Sequence, residues 1–228
     1  MILSGQQPNY LPWIGLFHKI ANSDKFAVVD HVQYIRRSVI NRNRVLGVDG
    51  QPITLSVPVR SHGRGRQRIA DVEIDHHEPW RRKHLKTLQF CYRKAPYFGI
   101  HAPFFEDLYG KKWKRLAEMN VAILEYVLRA FAIRTEIVKT SEHDISGHKT
   151  DLLVDMCRTF GCDTYLSGAG AKKYVDESVF DDAGLSHRFQ SFTHPEYKQG
   201  GKAFVSHLSA VDLLFWCGPD GGRIVKGA

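Results

Sequence analysis

The feature that most restricts this fold is the order of the apolar segments near the start of the chain. Ile2-Leu3-Ser4-Gly5 suits a short buried strand. Ile14 to Ala21 places Ile14, Phe17 and Ile20 or Ala21 at helical spacing. Lys25-Phe26-Ala27-Val28-Val29-Asp30 reads as a second strand ending on a carboxylate. Strand, irregular loop, helix, strand is the outline of a βαβ unit. The last third repeats the alternation. A strand over 136–138 precedes a helix over 151–160 ended by Gly161. A strand over 164–167 runs into Gly168-Ala169-Gly170, and a short helix over 178–183 ends at Gly184. A strand over 189–192 and a helix over 209–216 follow, the helix with Ser209 as N-cap, Asp212 at the capping-box position and Gly218-Pro219 as its stop. This alternation predicts an α/β fold, a three-layer, mostly parallel Rossmann-like sheet.

The middle of the chain departs from that rhythm. Arg42 to Leu46, the Val48-Asp49-Gly50 turn and Ile53 to Val57 predict a β-hairpin. A basic, glycine-containing loop (59–67) and an alternating strand over 69–74 follow. Pro79 fits the first turn of a helix reaching about Tyr92. Pro96 and Pro103 punctuate the next segment, and 113–131 is an amphipathic helix. The expectation is one α/β domain over 1–228, with a basic hairpin and loop insertion around 42–74 and a helical segment.

Composition narrows the function. The 228 residues carry a formal net charge of +8. Two arginine clusters concentrate it, Arg36, Arg37, Arg42 and Arg44, then Arg60, Arg64, Arg66 and Arg68. Clustered positive charge favours a nucleotide-linked or other anionic small molecule as partner. No apolar run approaches the roughly 18–20 residues of a membrane span, and no membrane partner is expected. No charged start followed by an apolar stretch marks an export signal. The four cysteines form no C-x-x-C pair, so reduced thiols, a cytoplasmic location and no zinc site are expected.

In an open parallel sheet, ligands sit beyond the carboxyl ends of the strands. Three segments fall there. In the first, Pro8 and Pro12 stiffen a loop in which Gln6, Gln7 and Asn9 offer amides. Tyr10 and Trp13 offer flat faces for a base or sugar, and Gly15 permits close approach at the helix start. The second carries Asp30, Gln33, Tyr34 and Arg36, then Asn41-Arg42-Asn43-Arg44. As a strand, that alternation puts the asparagines on one face and the arginines, suited to phosphate or carboxylate, on the other. The third is Ser167, Gly168 and the glycine-containing turn up to Tyr174. It does not match a P-loop. His194, with Tyr197 and Gln199 nearby, is the candidate general base. No metal-ligand spacing is present, no G-x-S-x-G elbow occurs, and spacing alone traces no Ser/His/Asp triad.

These residues together resemble the WbqC-like protein family. The resemblance rests on Gln7-Pro8, Tyr10, Pro12-Trp13 and Gly15, then Asp24, Phe26 and Asp30. Val32-Gln33-Tyr34, Arg36 and Asn41-Arg42-Asn43-Arg44 extend it, as do Ala95-Pro96-Tyr97-Phe98 and Leu166-Ser167-Gly168. His194-Pro195, Tyr197, Gln199, Leu208-Ser209, Asp212-Leu213-Leu214 and Gly218-Pro219 complete it. Two positions depart from the family pattern: Gln6 stands where many relatives carry histidine, and Ala171 where a second glycine is usual.

The resemblance implies an accessory enzyme of surface-polysaccharide and O-antigen biosynthesis, attaching an acyl or aminoacyl group such as glycine to an amino sugar. Such a step needs a base, oxyanion donors and cationic groups. His194 is then the base. Gln7, Asn41 and Asn43 orient substrate, and Arg36, Arg42 and Arg44 bind phosphate or carboxylate. An aminoacyl-tRNA is one possible donor, and no cofactor or oligomeric state is assigned. Two other classes stay open: an ATP-dependent ligase or nucleotidyltransferase, and a basic RNA-binding or scaffold protein.

Overall fold

The computed structural model describes residues 1–201 and 203–227. The chain starts as strand β1 (Ile2–Gln6), helix α1 (Ile14–Ala21) and strand β2 (Lys25–Val28). Strands β3 (Arg42–Leu46) and β4 (Pro52–Ser56) form a separate antiparallel pair around the Asp49-Gly50 turn. Helices α2 (Trp80–Tyr92), α3 (Phe98–Gly110) and α4 (Leu116–Ala130) follow. The parallel sheet resumes with β5 (Glu136–Lys139), α5 (Thr150–Thr159), β6 (Thr164–Ser167), α6 (Ser178–Asp182) and β7 (Ser186–Phe189). Helices α7 (Ala210–Cys217) and α8 (Asp220–Lys226) close the described chain.

The main sheet has the order β5-β2-β1-β6-β7, and all its pairs are parallel. β1 lies at the centre, pairing Ser4 with Phe26 on one side and with Leu166 on the other. Its interior is dry: Leu3 and Ser4 are fully buried, and the Ser4 hydroxyl accepts a 2.7 Å hydrogen bond from Ser23. Alternation along β2 divides the core. Phe26 and Val28 face the larger core with Phe17, Ile20 and the helices α2 to α4 and α7. Ala27 and Val29 face a smaller one with Met156, Cys157 and Phe180 of α5 and α6. Helices on both faces of a parallel sheet give the expected three-layer, Rossmann-like arrangement. The chain builds outward from β1 to β2 and β5, then crosses to β6 and β7. Strand order therefore reverses between β1 and β6, where a crevice opens in such sheets.

Several local expectations shift. Residues 69–74 form a 3₁₀ turn (Ile69–Asp71) flanked by isolated bridges, Val59 to Ile74 and Glu73 to Arg115. Their apolar alternation reflects burial of Ile69, Val72 and Ile74 beneath α4 and not strand pairing. The last strand is Ser186–Phe189 and not 189–192; as an edge strand with polar Ser186 and Arg188 facing out, it lacks an apolar run. Pro103 lies inside α3, a helix the two prolines masked, and Pro79 is the residue before α2 rather than its first. α4 starts at Leu116, three residues after Trp113. Ser209 caps α7 through Val211 N, but Asp212 takes no part in a capping box. Its carboxylate is fully buried and accepts from Tyr92, Tyr197 and Gln199.

Candidate functional site

The loop after β1 is held from three sides. Asn120, buried on α4, donates through Nδ2 to Pro8 O (2.9 Å) and Ile40 O (2.8 Å). Tyr10 N donates to Val39 O, Asn43 Nδ2 to Leu11 O and Ala210 N to Pro12 O. These bonds fix the loop to β3 and to the start of α7, and they hold Leu11 at φ +44°. Arg37 and His207, two of the five described non-glycine residues with positive φ, line the adjoining cleft, and Leu11, a third, is held by Asn43 of its lining. Strained backbone of this kind persists where the surroundings over-determine it, often beside ligand sites.

The cleft lies beyond the carboxyl ends of β1 and β6 and has two chambers, about 700 and 440 Å³. Gln6 and Trp13 line both and form the wall between them. The Trp13 indole lies over the first turn of α1, in the space that a Cβ on Gly15 would occupy. His207 stacks on it (5.5 Å between centroids, 13° between planes) and Phe192 meets it edge-on. Gly15 thus permits close approach, and the group that approaches is Trp13.

The first chamber is cationic. Arg42 and Arg44 pair across the hairpin with Ser56 and Thr54, so both guanidinium groups leave the same face, and Arg37 joins them. Asn43 lines this chamber while holding Leu11, and its Oδ1 accepts from Arg44 N.

The second chamber is lined by Gly5, Gly15, Ser167, Gly168, Ala169 to Ala171, Tyr174 and Gln190. It holds one charge that sequence reasoning missed. Lys19 is 4% exposed, and its Nζ donates to Gly5 O and Gln6 Oε1, each at 2.9 Å. No carboxylate pairs with it among the described residues. Desolvation lowers its pKa to about 8, so at neutral pH it remains mainly an ammonium. An ammonium has three donors and two are used, leaving one for a ligand. The position a Cβ on Gly168 would take is 3.9 Å from Nζ. A lysine on the buried side of a short helix beside Leu16 and Ile20 was the available signal.

A second missed cluster adjoins this chamber. The Ser167 hydroxyl lies 2.9 Å from His187 Nε2, and His187 Nδ1 lies 3.5 Å from a carboxylate oxygen of Glu177. The ring is 2% exposed, and its Nδ1 makes no hydrogen bond.

Other sequence candidates lie outside the chambers. Tyr10 is fully buried, its hydroxyl 2.8 Å from His84 Nδ1 and 2.5 Å from the Tyr109 hydroxyl, so its face belongs to the core. Gln7 is half-buried and lines neither chamber. Asp30 accepts from Thr140 Oγ1, Ser141 N and Ser141 Oγ, clasping the end of β2 to the turn after β5. Gln33 bridges to Arg68 through backbone, Arg36 donates to Ser61 O, and Asn41 Nδ2 donates to Val57 O. Tyr197 and Gln199 both donate to Asp212 and so are pinned onto α7. His194 has both ring nitrogens engaged: Nδ1 donates to Pro195 O, and Nε2 accepts from His207 N. That bond fixes His207 against Trp13 and uses the lone pair a base requires.

The second arginine cluster is partly paired, with one carboxylate, Glu73, shared by Arg60, Arg64 and Arg115. Arg64 and Arg60 lie 2.8 and 3.8 Å from Glu73, and Arg68 pairs with Asp71. Among the described residues no helix is long and apolar enough to cross a membrane.

Comparison with known proteins gives a family but no activity. The chain is 33% identical over 218 residues to the uncharacterized protein Rv1507c of Mycobacterium tuberculosis (strain ATCC 25618 / H37Rv), covering 94% of this chain and 93% of that one. No solved structure matches. The family model described as the WbqC-like protein family matches residues 7–224, which include the β1–α1 loop, the arginine hairpin and the Ser167-Gly168 turn. The chain belongs to the WbqC-like protein family.

Proposed function

We propose that this protein transfers an acyl or aminoacyl group onto an amine, the amine belonging to a nucleotide-linked amino sugar of surface-polysaccharide biosynthesis. The observation that carries this reading is the division of one cleft into two chambers of different chemistry. The chamber with Arg37, Arg42 and Arg44 suits a diphosphate, which planar guanidinium groups bind through paired hydrogen bonds. Trp13, its faces covered by His207 and by the first turn of α1, offers an indole edge at the junction, where a base or sugar ring would lie. The second chamber, with small residues and the Lys19 ammonium, suits an acyl group whose carbonyl oxygen gains negative charge in the transition state. Two substrates held on either side of one wall meet at Gln6, which gives proximity without a shared binding site.

His194, the base expected from sequence, has no free lone pair, so within this reading it positions His207 and Trp13.

The test is product formation. The protein is incubated with UDP- or dTDP-linked amino sugars and with ATP-, thioester- and tRNA-borne acyl donors, and the sugar nucleotides are analysed by mass spectrometry. An acyl or aminoacyl mass increment on the amino sugar is expected with one donor class. No increment with any combination refutes the reading.

A further inference from the structure

We infer that Ser167 is a nucleophile that carries the acyl group on the enzyme, with His187 as its general base and Glu177 as the residue that positions His187. The inference rests on the acyl-transfer reading for its substrate class, but it stands on separate observations.

Sheet register brings the three residues together. β6 and β7 pair Tyr165 with His187 and Ser167 with Phe189, so Ser167 and His187 share a face of the sheet one step apart. The result is 2.9 Å between Ser167 Oγ and His187 Nε2. Glu177, in the turn before α6, brings a carboxylate oxygen to 3.5 Å from His187 Nδ1. That carboxylate selects the tautomer. A bare Nδ1 lone pair facing an anion is repelled, whereas an Nδ1–H is attracted, so the proton resides on Nδ1. Nε2 then presents its lone pair to Ser167. The order of nucleophile, base and carboxylate is the one that activates a hydroxyl on unrelated folds, with Glu177 at ion-pair distance from Nδ1 and not yet hydrogen-bonded to it.

The surroundings fit that task. Ser167 is a lining residue of the second chamber at the end of β6, although only 3% of it is exposed. The His187 side chain is 2% exposed, with Phe180 and Phe189 against its ring, which keeps water from the base. Lys19 Nζ lies beside Gly168, the residue after the nucleophile, and its third N–H has no protein acceptor among the described residues. A cation there stabilises negative charge on a tetrahedral intermediate. Buried serines commonly satisfy their hydroxyls on backbone carbonyls; here the partner is an imidazole whose other nitrogen faces an anion.

The step balances as follows. Ser167 Oγ bonds to the carbonyl carbon of an activated acyl donor, a thioester or an ester, and its proton passes to His187 Nε2. The bond from carbonyl carbon to leaving group breaks, and the thiol or alcohol departs with the proton from His187. The amine of the acceptor then attacks the acyl-serine, giving a proton to His187. The ester bond to Ser167 breaks, and Oγ recovers a proton from His187.

The experiment uses the full chain, a fluorophosphonate probe and, separately, p-nitrophenyl acetate. Adducts are read by intact mass and peptide mapping. One phosphonyl or acetyl group on Ser167 is expected, absent in Ser167→Ala and slowed at least tenfold in His187→Asn. Ser167→Cys restores acylation by the ester, which separates loss of the nucleophile from loss of the fold. Glu177→Gln slows labelling and Glu177→Asp returns the rate towards wild type, a rescue by the conservative variant that a purely structural residue would not give. No adduct on Ser167, or acylated amino sugar formed at wild-type rate by Ser167→Ala, overturns the inference while leaving the transfer reading intact. An adduct on Ser167 with no acylated sugar from any donor supports the nucleophile and overturns the transfer reading.

Discussion

Replacing Lys19 by methionine should make the protein more stable at neutral pH while disabling the second chamber. The side chain is nearly fully buried and no carboxylate compensates its charge. Its pKa falls from 10.5 to about 8. At about 1.4 kcal/mol per pH unit, that difference makes retention of the ammonium in the fold unfavourable by about 3 kcal/mol at pH 7. Against it stand the two hydrogen bonds to Gly5 O and Gln6 Oε1, whose acceptors lose a partner in the variant at about 1 kcal/mol each. Lys19→Met is therefore expected to gain about 1 kcal/mol at pH 7. The sign of the pH dependence follows from the lowered pKa. The destabilisation is full below pH 8 and fades as pH rises towards 10.5, where the lysine is neutral in both states. By pH 9.5 about 2 kcal/mol of it is relieved, so the ranking of the two proteins reverses. Urea unfolding of both proteins at pH 7 and 9.5 measures the double difference. A variant less stable than wild type by the same amount at both pH values would refute the reasoning, because Lys19 would then act as an ordinary packed side chain.

Three other outcomes follow from the geometry. Truncating Arg42 and Arg44 to alanine should weaken UDP binding at least tenfold in calorimetry and reduce its salt dependence, with little change in unfolding midpoint because both side chains are exposed. Burial lowers the His84 pKa from 6.5 to about 4, so the neutral ring stabilises the fold above pH 6.5. That contribution, on the order of 3 kcal/mol, should be lost as pH falls from 6.5 to 4. Urea midpoints of His84→Gln should decline less over that range. Gly15→Ala should lose about 1–3 kcal/mol in the wild-type background, where the added methyl meets the Trp13 indole, and should be neutral or stabilising in a Trp13→Ala background. Equal effects in the two backgrounds would contradict the packing described for that pair.

The sheet was legible in the sequence because its strands are short apolar runs separated by helical spacing, as at Ile2 to Gly5 and Lys25 to Asp30. β7 was placed three residues late because an edge strand carries polar residues on its open side, and Ser186 and Arg188 hide it. α3 was missed because Pro103 reads as a breaker although the helix accommodates it. The cleft was legible in outline, since Gln6, Arg42 and Ser167 lie on strand ends and Trp13 at the start of α1. Its inner chemistry was not. Lys19 looks like a surface lysine until α1 is docked, and His187 is one histidine among twelve until β7 is paired with β6. Conversely, Tyr10, Tyr197, Gln199 and His194 carry the polar groups of a site but use them on Tyr109, Asp212 and His207. Residue chemistry names what a side chain can bind, and packing decides what it does bind.

The overlap between the Trp13 ring and the space above Gly15 has a consequence for descent. An alanine at position 15 and a tryptophan at position 13 do not fit together, so position 15 cannot gain a side chain while position 13 keeps its tryptophan. A lineage that gains a side chain at 15 must first or simultaneously shrink the residue at 13, and that removes the wall shared by the two chambers. Relatives should therefore divide into two groups, those keeping the tryptophan with its glycine and those with a smaller residue at 13, whatever stands at 15. The second group would have a single merged cleft, and with it a different choice of substrates.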